Sequence, residues 1–294
     1  MRQRRNLSAM MFLALPVGLF IAFFVYPICY TLYLSFMSWN GFSPQMNPVG
    51  LYNYHMIVNS VGFRQALMNN TLWLAFQVMI PPGLGLALAL LLNKGFRGHG
   101  IFETIIFIPN TITMVAVATI WGWLYVPGGG LLNEVLRGIG LAGWAQNWLG
   151  NPRIATFSIM ICAIWAGVGF SFIIYLAGLK TIPGSLIEAA KIDGASFIAS
   201  FRHVIWPMLA PSTAIVYALQ ALGAIKLFDL IYSLTGGGPA YFTTVLAVFM
   251  YDISFTRFQM GQGAATAIVL LLVSAVVITP YLLYSLQKVE GIRQ

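Results

Sequence analysis

The sequence predicts an all-α membrane protein with six transmembrane helices and both termini in the cytoplasm. Of its 294 residues, 59% are hydrophobic and only 7% are charged, whereas soluble domains carry about 25% charged residues. The mean hydropathy is +0.83, and apolar stretches of about 20 residues, long enough to cross a bilayer as a helix, recur along the chain. This composition excludes a disordered chain, a nucleic-acid-binding protein and a disulfide-stabilised scaffold.

The predicted spans cover residues 10–36, 70–92, 103–126, 154–179, 208–234 and 262–286. With the N-terminus inside, ten of the 15 Lys and Arg residues fall in inner segments and four in outer loops. This asymmetry follows the positive-inside rule and places both termini in the cytoplasm. The first stretch lacks a small-residue cleavage site and is too long for the apolar region of a signal peptide, so we expect it to remain as a span.

The chain is predicted to form a single membrane domain over residues 1–294, with the core spans over about 70–286, because no internal repeat or linker divides it. The outer loops 37–69, 127–153 and 235–261 carry aromatic residues, glycines and prolines. They are large enough to contact a partner outside the cell, and their Trp and Tyr residues also fit an aromatic belt at the membrane surface.

Soluble-enzyme chemistry is not predicted, because the sequence has neither a phosphate-binding P-loop nor a cluster of its three histidines. We therefore expect no catalytic residue, no metal site and no cofactor on this chain. The ionisable residues deep in a span are Lys226 and Asp229. Their spacing of three places them on one helical face, either as a structural pair that neutralises itself or as a gating or solute-contacting pair.

The inner loop, residues 181–206, is unusually organised. Ser185 and Glu188 form a capping-box pattern that predicts the start of a short helix. Gly194 allows the chain to turn, because a glycine takes a positive φ without a Cβ clash. The spacing predicts that a second short helix begins at Ala195 or Ser196, before Pro207 and Pro211 mark the return to the membrane.

These two helices are expected to expose apolar residues in the cytoplasm, namely Leu186, Ile187, Ala190 and Phe197. An apolar helix displayed in water suits a groove on a partner protein. A loop that lies on lipid headgroups is the alternative.

Several segments together resemble one family. Glu188-Ala189-Ala190, Asp193-Gly194-Ala195, Phe201, Pro207 and Pro211 resemble the EAA loop of permease subunits from binding-protein-dependent ABC importers. Five further motifs occur in the order seen in sugar permeases: GLYNY (50–54), NTLW (70–73), FIPN (107–110), GLLN (130–133) and TGGGPA (235–240). The chain is similar to the larger subunit of maltose transporters and to glycerol-phosphate permeases.

The resemblance implies that the inner loop is a coupling helix that docks on an ATPase subunit. Its coupling residues would be Glu188, Ala189, Ala190, Asp193, Gly194 and Ala195. The implied complex contains a second permease subunit, forming a heterodimer, two copies of a cytoplasmic ATPase that bind ATP and Mg, and an extracytoplasmic solute-binding protein. It would lie in a bacterial or archaeal plasma (inner) membrane.

The resemblance also implies a solute pathway for a carbohydrate or related polyol. The matching positions are Trp165, Gly167 and Phe170 in the fourth span and Gln220, Ala224 and Leu227 in the fifth. The last three follow an i, i+4, i+7 pattern and so share a helical face, which equally suits packing against a neighbouring span. The outer contacts with the binding protein are expected at Gly237, Gly238, Pro239 and Tyr241.

A secondary active transporter of a small solute is the main alternative. Such a carrier couples ions through charges within the membrane and typically shows repeated halves. A channel would need a polar stripe along its spans, and a non-transporting scaffold would not explain the inner loop. Dependence on ATP and on partner subunits distinguishes all three from an importer.

Overall fold

The structure is a computed structural model that describes residues 12–93, 95 and 97–291, with side chains up to residue 279. Its helices, in chain order, are α1 (Phe12–Ser35), α2 (Tyr52–Asn59), α3 (Val61–Leu92), α4 (His99–Phe107), α5 (Met114–Leu124), α6 (Leu131–Gly138), α7 (Ala155–Lys180), α8 (Gly184–Ile192), α9 (Phe197–Met208), α10 (Ala210–Ile225), α11 (Asp229–Thr235), α12 (Leu246–Thr256) and α13 (Met260–Gly291). Two short strands, β1 (Met37–Ser38) and β2 (Asn47–Pro48), pair antiparallel.

The predicted helical class is confirmed, whereas the count of six spans stays a prediction. Within the described residues, four helices are long and apolar enough to cross a membrane, namely α1, α3, α7 and the Met260–Thr279 part of α13. Two bent pairs raise the number to six if each pair is one span. Most of the basic residues that fix the predicted inner side, and both predicted cytoplasmic termini, lie outside the described residues or side chains.

The third and fifth predicted spans are not straight helices. Helix α4 continues as a 3₁₀ turn, Ile108–Thr111, and then bends by 100° into α5. Helices α9 and α10 meet at 69° around Leu209, between Pro207 and Pro211. A proline removes one backbone donor and clashes with the preceding turn, so helices bend at such positions.

The chain divides into two compact units, and the first comprises residues up to Arg64 together with Phe249–Leu272. In this unit Asn53 fixes the turn between α1 and β1. Its Nδ2 donates hydrogen bonds to the carbonyl oxygens of Ser35 (2.9 Å) and Met37 (2.8 Å). Tyr54 adds a hydrogen bond from its hydroxyl to Ser35 Oγ at 2.8 Å. The GLYNY motif therefore ties the end of α1 to the strand pair.

The second unit comprises Gln65–Val248 and Val273–Gln294 and contains two apolar clusters. The tryptophan cluster consists of Trp73, Val117, Ala118, Tyr125, Ile159, Met160, Cys162, Ala163, Ala166, Leu230, Ile231, Val245 and Val248. The leucine cluster consists of Ala89, Leu92, Phe172, Tyr175, Leu176, Leu179, Ile182, Ile205, Leu209 and Val216. Helices α3 and α7 contribute to both clusters and so form the frame of this unit.

Close contact between α3 and α7 depends on Gly85. A Cβ atom on this residue would lie 2.6 Å from Ser171 Cβ and 2.7 Å from the backbone nitrogen of Phe172. Small residues at a crossing let the backbones of two membrane helices approach closely, and this maximises their van der Waals contact.

Substitution Gly85→Ala should lower the free energy of unfolding by about 1–3 kcal/mol, because the added methyl group meets backbone that cannot move aside. Gly83→Ala is the matched control in the same helix, since a Cβ there has no neighbour within 4 Å. It should leave stability unchanged or raise it by up to about 1 kcal/mol. Thermal unfolding in mild detergent measures both, and equal stability of the two variants would contradict the proposed contact.

Candidate functional site

The inner loop forms two short helices that turn at Gly194, as the sequence predicts. Helix α8 ends with two bonds: the N–H of Gly194 donates to the carbonyl of Lys191 (3.0 Å), and that of Ala195 donates to the carbonyl of Ala190 (2.9 Å). Gly194 has φ +77°. This pair of bonds around a left-handed residue is a Schellman motif, which ends a helix in a fixed geometry.

The predicted capping box at the start of α8 is wrong. Pro183 is the N-cap residue and no side chain caps the helix, so Ser185 lies within the first turn. Proline has its φ already set for this position and lacks the donor that a helix start leaves unpaired. A serine cap occurs instead at α9, where Ser196 Oγ accepts a hydrogen bond from the N–H of Ala199 at 3.3 Å. The predicted second helix therefore begins within a residue or two of its expected start.

The inner loop exposes an apolar surface together with most of the predicted coupling residues. Glu188, Ala189, Asp193 and Gly194 are exposed, while Ala190 and Ala195 are half-buried. The exposed large apolar residues are Leu186, Ile192, Phe197 and Ile198. Ile192 and Ile198 flank the turn at Asp193-Gly194 and are 86% and 75% exposed, which the sequence did not predict.

The opposite side of the inner loop is fixed to the spans. Ile187 and Phe201 pack against the leucine cluster, so the expectation that Ile187 is exposed is wrong. It lies on the helix face opposite Ile192 and Ala189. The same cluster includes residues of α3, α7 and α10, so α8 is in apolar contact with these helices.

Gln220, a predicted pathway residue, is buried in a chain of hydrogen bonds that joins three helices. Gln77 Nε2 of α3 donates to Gln220 Oε1 (2.8 Å), and Gln220 Nε2 donates to Ser171 Oγ of α7 (2.9 Å). Gln220 is only 6% exposed. Its polar atoms are occupied within this chain, which favours packing against neighbouring helices over contact with solute.

The other predicted pathway residues lie in different surroundings. Ala224 is buried, and Leu227 lies beyond the end of α10 at Ile225, so the predicted i, i+4, i+7 face does not exist. Trp165, Gly167 and Phe170 of α7 are half-buried. The Trp165 ring meets the Trp121 ring edge-on, with centroids 6.1 Å apart, beside the tryptophan cluster.

A groove of about 350 Å³ between α3 and α7 is lined only by apolar residues. They are Leu72, Ala75, Phe76, Met79, Ile80, Phe157, Met160, Ile161 and Ile164. A hydroxyl-rich solute would find no hydrogen-bond partner there, whereas hydrocarbon suits it.

The prediction that Lys226 and Asp229 share a helical face is wrong. Helix α10 ends at Ile225, with Lys226 as its C-cap residue, and Asp229 is the first residue of α11. Among the ion pairs of the described residues none joins them within 4.0 Å. Each charge instead interacts favourably with a helix dipole: Lys226 is a cation at the C-terminus of α10, and Asp229 is an anion at the N-terminus of α11. Each such interaction stabilises a helix by about 0.3–1 kcal/mol. Both side chains are exposed.

The TGGGPA loop is held by internal hydrogen bonds, and only some of its residues are exposed. Gly237, a predicted contact with the binding protein, is buried, because its backbone lies against Thr244, whose Oγ1 donates to the Gly237 carbonyl at 2.7 Å. A buried glycine presents nothing to a partner, so that prediction is wrong. Gly238, Pro239 and Tyr241 are half-buried. The exposed residues of the loop are Gly236, Ala240 and Phe242.

Two asparagines hold this loop, and the sequence analysis did not assign them that role. Asn69 Nδ2 donates to the carbonyl oxygens of Phe242 (2.9 Å) and Thr244 (2.7 Å). Asn70 Oδ1 accepts a hydrogen bond from the N–H of Leu246 at 2.7 Å. Both asparagines are at least 94% buried. The NTLW motif, which begins at Asn70, was the feature of the sequence that could have pointed to these two residues.

The described residues also bear on the chemistry of metal sites and disulfides. Within this part of the chain, no group of three or more His, Cys, Asp and Glu residues is placed to hold a metal ion. The two cysteines are free: Cys29 is exposed, which differs from the usual burial of such a residue, and Cys162 is buried.

Comparisons with known proteins agree with the motifs. The family described as "binding-protein-dependent transport system inner membrane component" matches residues 82–288. A probable ABC transporter permease protein of Pyrococcus horikoshii is 36% identical over 99% of this chain and 100% of its own length. The trehalose/maltose transport system permease protein of Thermococcus litoralis is 33% identical over 85% of this chain and 83% of its own length.

A solved structure shares the fold. It is a bacterial ABC transporter involved in the import of the acidic polysaccharide alginate, matched with a TM-score of 0.83 and 22% identity over 98% of this chain and 99% of that chain. At this identity the match establishes the arrangement of helices.

The role of Gln220 can be tested with a double-mutant cycle of Gln77→Leu and Gln220→Leu. Each single substitution should lower the free energy of unfolding by about 1–2 kcal/mol, since it removes the Gln77–Gln220 hydrogen bond and leaves a buried polar atom of the other amide unpaired. The double variant should lose less than the sum, by roughly 0.6 kcal/mol. Unfolding in mild detergent measures the cycle. Strictly additive losses would contradict the hydrogen-bond chain, and a changed solute affinity at unchanged stability would make Gln220 a solute contact.

Proposed function

The chain belongs to the family of binding-protein-dependent transport system inner membrane components, and we propose that it forms half of the translocation pathway of an ATP-driven importer. The resemblance drawn from the EAA loop and the sugar-permease motifs is thereby confirmed at the level of the family. The solute proposed is a carbohydrate or related polyol delivered by an extracytoplasmic binding protein.

The exposed apolar surface of the inner loop is the observation that supports this function most directly. Leu186, Ile192 and Phe197 face solvent on helices whose other side is fixed to the spans. A partner groove is the occupant that suits it. Anionic lipid headgroups suit α8 less, because α8 and its turn have a net negative charge, with Glu188 and Asp193 against Lys191 alone, and an anionic surface attracts basic segments.

In the proposed mechanism, α8 lies in a groove of a cytoplasmic ATPase subunit. Closure of two such subunits on ATP moves α8 and its counterpart on a second permease. Ile187 and Phe201 pass the displacement to α3, α7 and α10 through the leucine cluster. The two permeases then alternate between inward-open and outward-open states. ATP and Mg are bound by the ATPase subunits, and no covalent step takes place on this chain.

A second permease subunit is proposed because the resemblance implies a heterodimer, and this chain offers apolar surface that either lipid or such a partner can cover. An 18-residue stretch of α1 contains no buried residue, and the groove between α3 and α7 opens to its surroundings with apolar walls. A heterodimer covers part of this surface and completes the pathway. The partner is proposed to be a related six-span permease.

The carbohydrate assignment is supported by aromatic residues and by a relative's name. Trp165 and Phe170 are half-buried on α7, and an aromatic face suits the apolar face of a sugar ring. Leu227, which packs against the same cluster as Trp165, lies beside the exposed Lys226. The permease of Thermococcus litoralis is named for trehalose and maltose. We propose that Trp165, Phe170 and Lys226 line the solute path.

Contact with the binding protein is proposed at the exposed part of the TGGGPA loop. Pro239 and Tyr241 remain candidates there, and Ala240 and Phe242 join them because they are exposed. Ala240 and Tyr241 have φ values of 45° and 68°. Residues other than glycine rarely adopt this left-handed backbone conformation. The hydrogen bonds from Asn69 Nδ2 stabilise the loop in this conformation.

Substitution Gly194→Pro should abolish ATP-dependent uptake while the protein remains inserted in the membrane. Proline cannot adopt φ +77° and has no N–H for the carbonyl of Lys191, so the angle between α8 and α9 changes. Gly184→Pro is the matched control, because the first residue of a helix tolerates proline. Uptake into proteoliposomes with the partner subunits measures both, and normal transport by Gly194→Pro would contradict the proposed coupling.

Substitution Glu188→Ala should reduce co-purification of the ATPase by about tenfold, which corresponds to ~1.4 kcal/mol. Glu134→Ala, the same change on the predicted outer side, should have no effect. The measurement is a mild-detergent pull-down of the tagged chain followed by mass spectrometry. Recovery of the chain alone, active in uptake without ATP, would favour a secondary carrier instead.

A further inference from the structure

Helix α6 and the turn after it carry apolar residues that the fold leaves uncovered. They are Leu131, Val135, Ile139, Leu141 and Trp144, which range from 45% to 68% exposed. This segment belongs to the predicted outer loop 127–153, where water would be the expected surroundings. We propose that residues 131–144 lie in the outer interface of the lipid bilayer, with this apolar face among the headgroups and the first acyl carbons.

The faces of α6 have the order that such a position requires. Leu132, Asn133 and Leu136 turn inward, and Leu132 packs against the tryptophan cluster. At 100° per residue, Leu131 and Val135 form the adjacent sector. Glu134 and Arg137 form the third sector, joined to each other by an ion pair of 2.6 Å. The helix thus meets protein, hydrocarbon and water on three successive sides, as interfacial helices do.

The depth of α6 is fixed by its attachment to the ends of two apolar helices. A Cβ on Gly130, the residue before α6, would lie 2.5 Å from the carbonyl oxygens of Leu124 and Val126, so α6 starts in contact with the end of α5. Tyr125 donates a hydrogen bond to the carbonyl of Ser158 in α7 at 2.9 Å. The apolar face of α6 is therefore continuous with the lipid-facing ends of these helices.

Asn133 makes the segment rigid. Its Nδ2 donates to the carbonyls of Pro127 (3.2 Å) and Gln146 (3.0 Å), and its Oδ1 accepts from the N–H of Gln146 (3.2 Å) and from Trp148 Nε1 (2.8 Å). All the hydrogen-bonding capacity of this buried amide goes to one loop. Because these hydrogen bonds fix the loop, its apolar residues cannot turn inward and remain exposed.

Two exposed tryptophans support a lipid surface as the occupant. Trp123 near the end of α5 is 72% exposed and Trp144 is 68% exposed. Tryptophan is enriched where a membrane meets water, because its ring is amphipathic. The apolar sector itself carries no charge. The inference rests on the placement of the neighbouring helices in a membrane and does not depend on transport.

Spin labels on the full chain in liposomes of phosphatidylcholine and phosphatidylglycerol test the proposal. Cys29→Ser removes the exposed thiol, and the fully buried Cys162 stays unlabelled as long as the protein is folded. Labels are placed at Val135→Cys, at Ile139→Cys and, as the matched control one residue along, at Glu134→Cys. Collision with oxygen reports hydrocarbon, and collision with a water-soluble nickel chelate reports water.

The labels at 135 and 139 should collide several-fold more with oxygen than with the nickel chelate, and the label at 134 should show the reverse. Free collision of the 135 and 139 labels with the chelate would overturn the proposal, since the face would then lie in water. Protection of these labels from both reagents would also overturn it, because protein would cover the face. Neither result depends on ATP or on a solute.

Discussion

Buried asparagine side chains satisfy backbone groups at the turn after α1, in the TGGGPA loop and in the loop after α6, and the packing around these segments depends on them. In hydrocarbon or packed protein, an unpaired backbone N–H or C=O costs several kcal/mol. Helices pair these groups internally, whereas loops and bends do not. Asn53, Asn69, Asn70 and Asn133 are each at least 94% buried. Asn53, Asn69 and Asn133 donate to backbone carbonyls of non-helical segments. Asn70 accepts a hydrogen bond from the N–H of Leu246, the first residue of α12. An amide carries donors and an acceptor at once, so one residue can satisfy both kinds of group.

This arrangement separates rigid from movable parts of the chain. The TGGGPA loop and the loop after α6 are fixed by asparagine amides, and α3, α7 and α10 are joined by the Gln77–Gln220–Ser171 bonds. The inner loop differs, because its link to the spans is apolar and its turn ends in two backbone bonds at Gly194. Apolar contacts tolerate sliding better than directional hydrogen bonds do. In the proposed mechanism, a displacement of α8 would move α3, α7 and α10 together, because hydrogen bonds join these three helices.

Much of the fold could be predicted from the sequence, because hydropathy reports membrane spans and glycine reports turns. The helix–turn–helix at Gly194 was predicted correctly, because glycine adopts the positive φ that this turn requires. The bends after Thr111 and at Leu209 could not be located, since a bend within an apolar stretch leaves its hydropathy unchanged. The prediction that Lys226 and Asp229 share a helical face was wrong for the same reason.

The hydrogen-bond partners of Gln220 could not be predicted, because they lie 143 and 49 residues away along the chain. The inward position of Gly237 depends on its contact with Thr244. Only tertiary packing sets such contacts.

Photo-crosslinking from position 189 tests whether the exposed surface of the inner loop docks on an ATPase subunit. A benzoyl-phenylalanine placed there replaces an exposed alanine of α8 and reacts with whatever lies against it in the native membrane. We expect a crosslink to a cytoplasmic ATPase, and we expect this crosslink to be lost when the same group is placed at the buried position Ile182. Crosslinks to lipid alone, with none to protein, would contradict it.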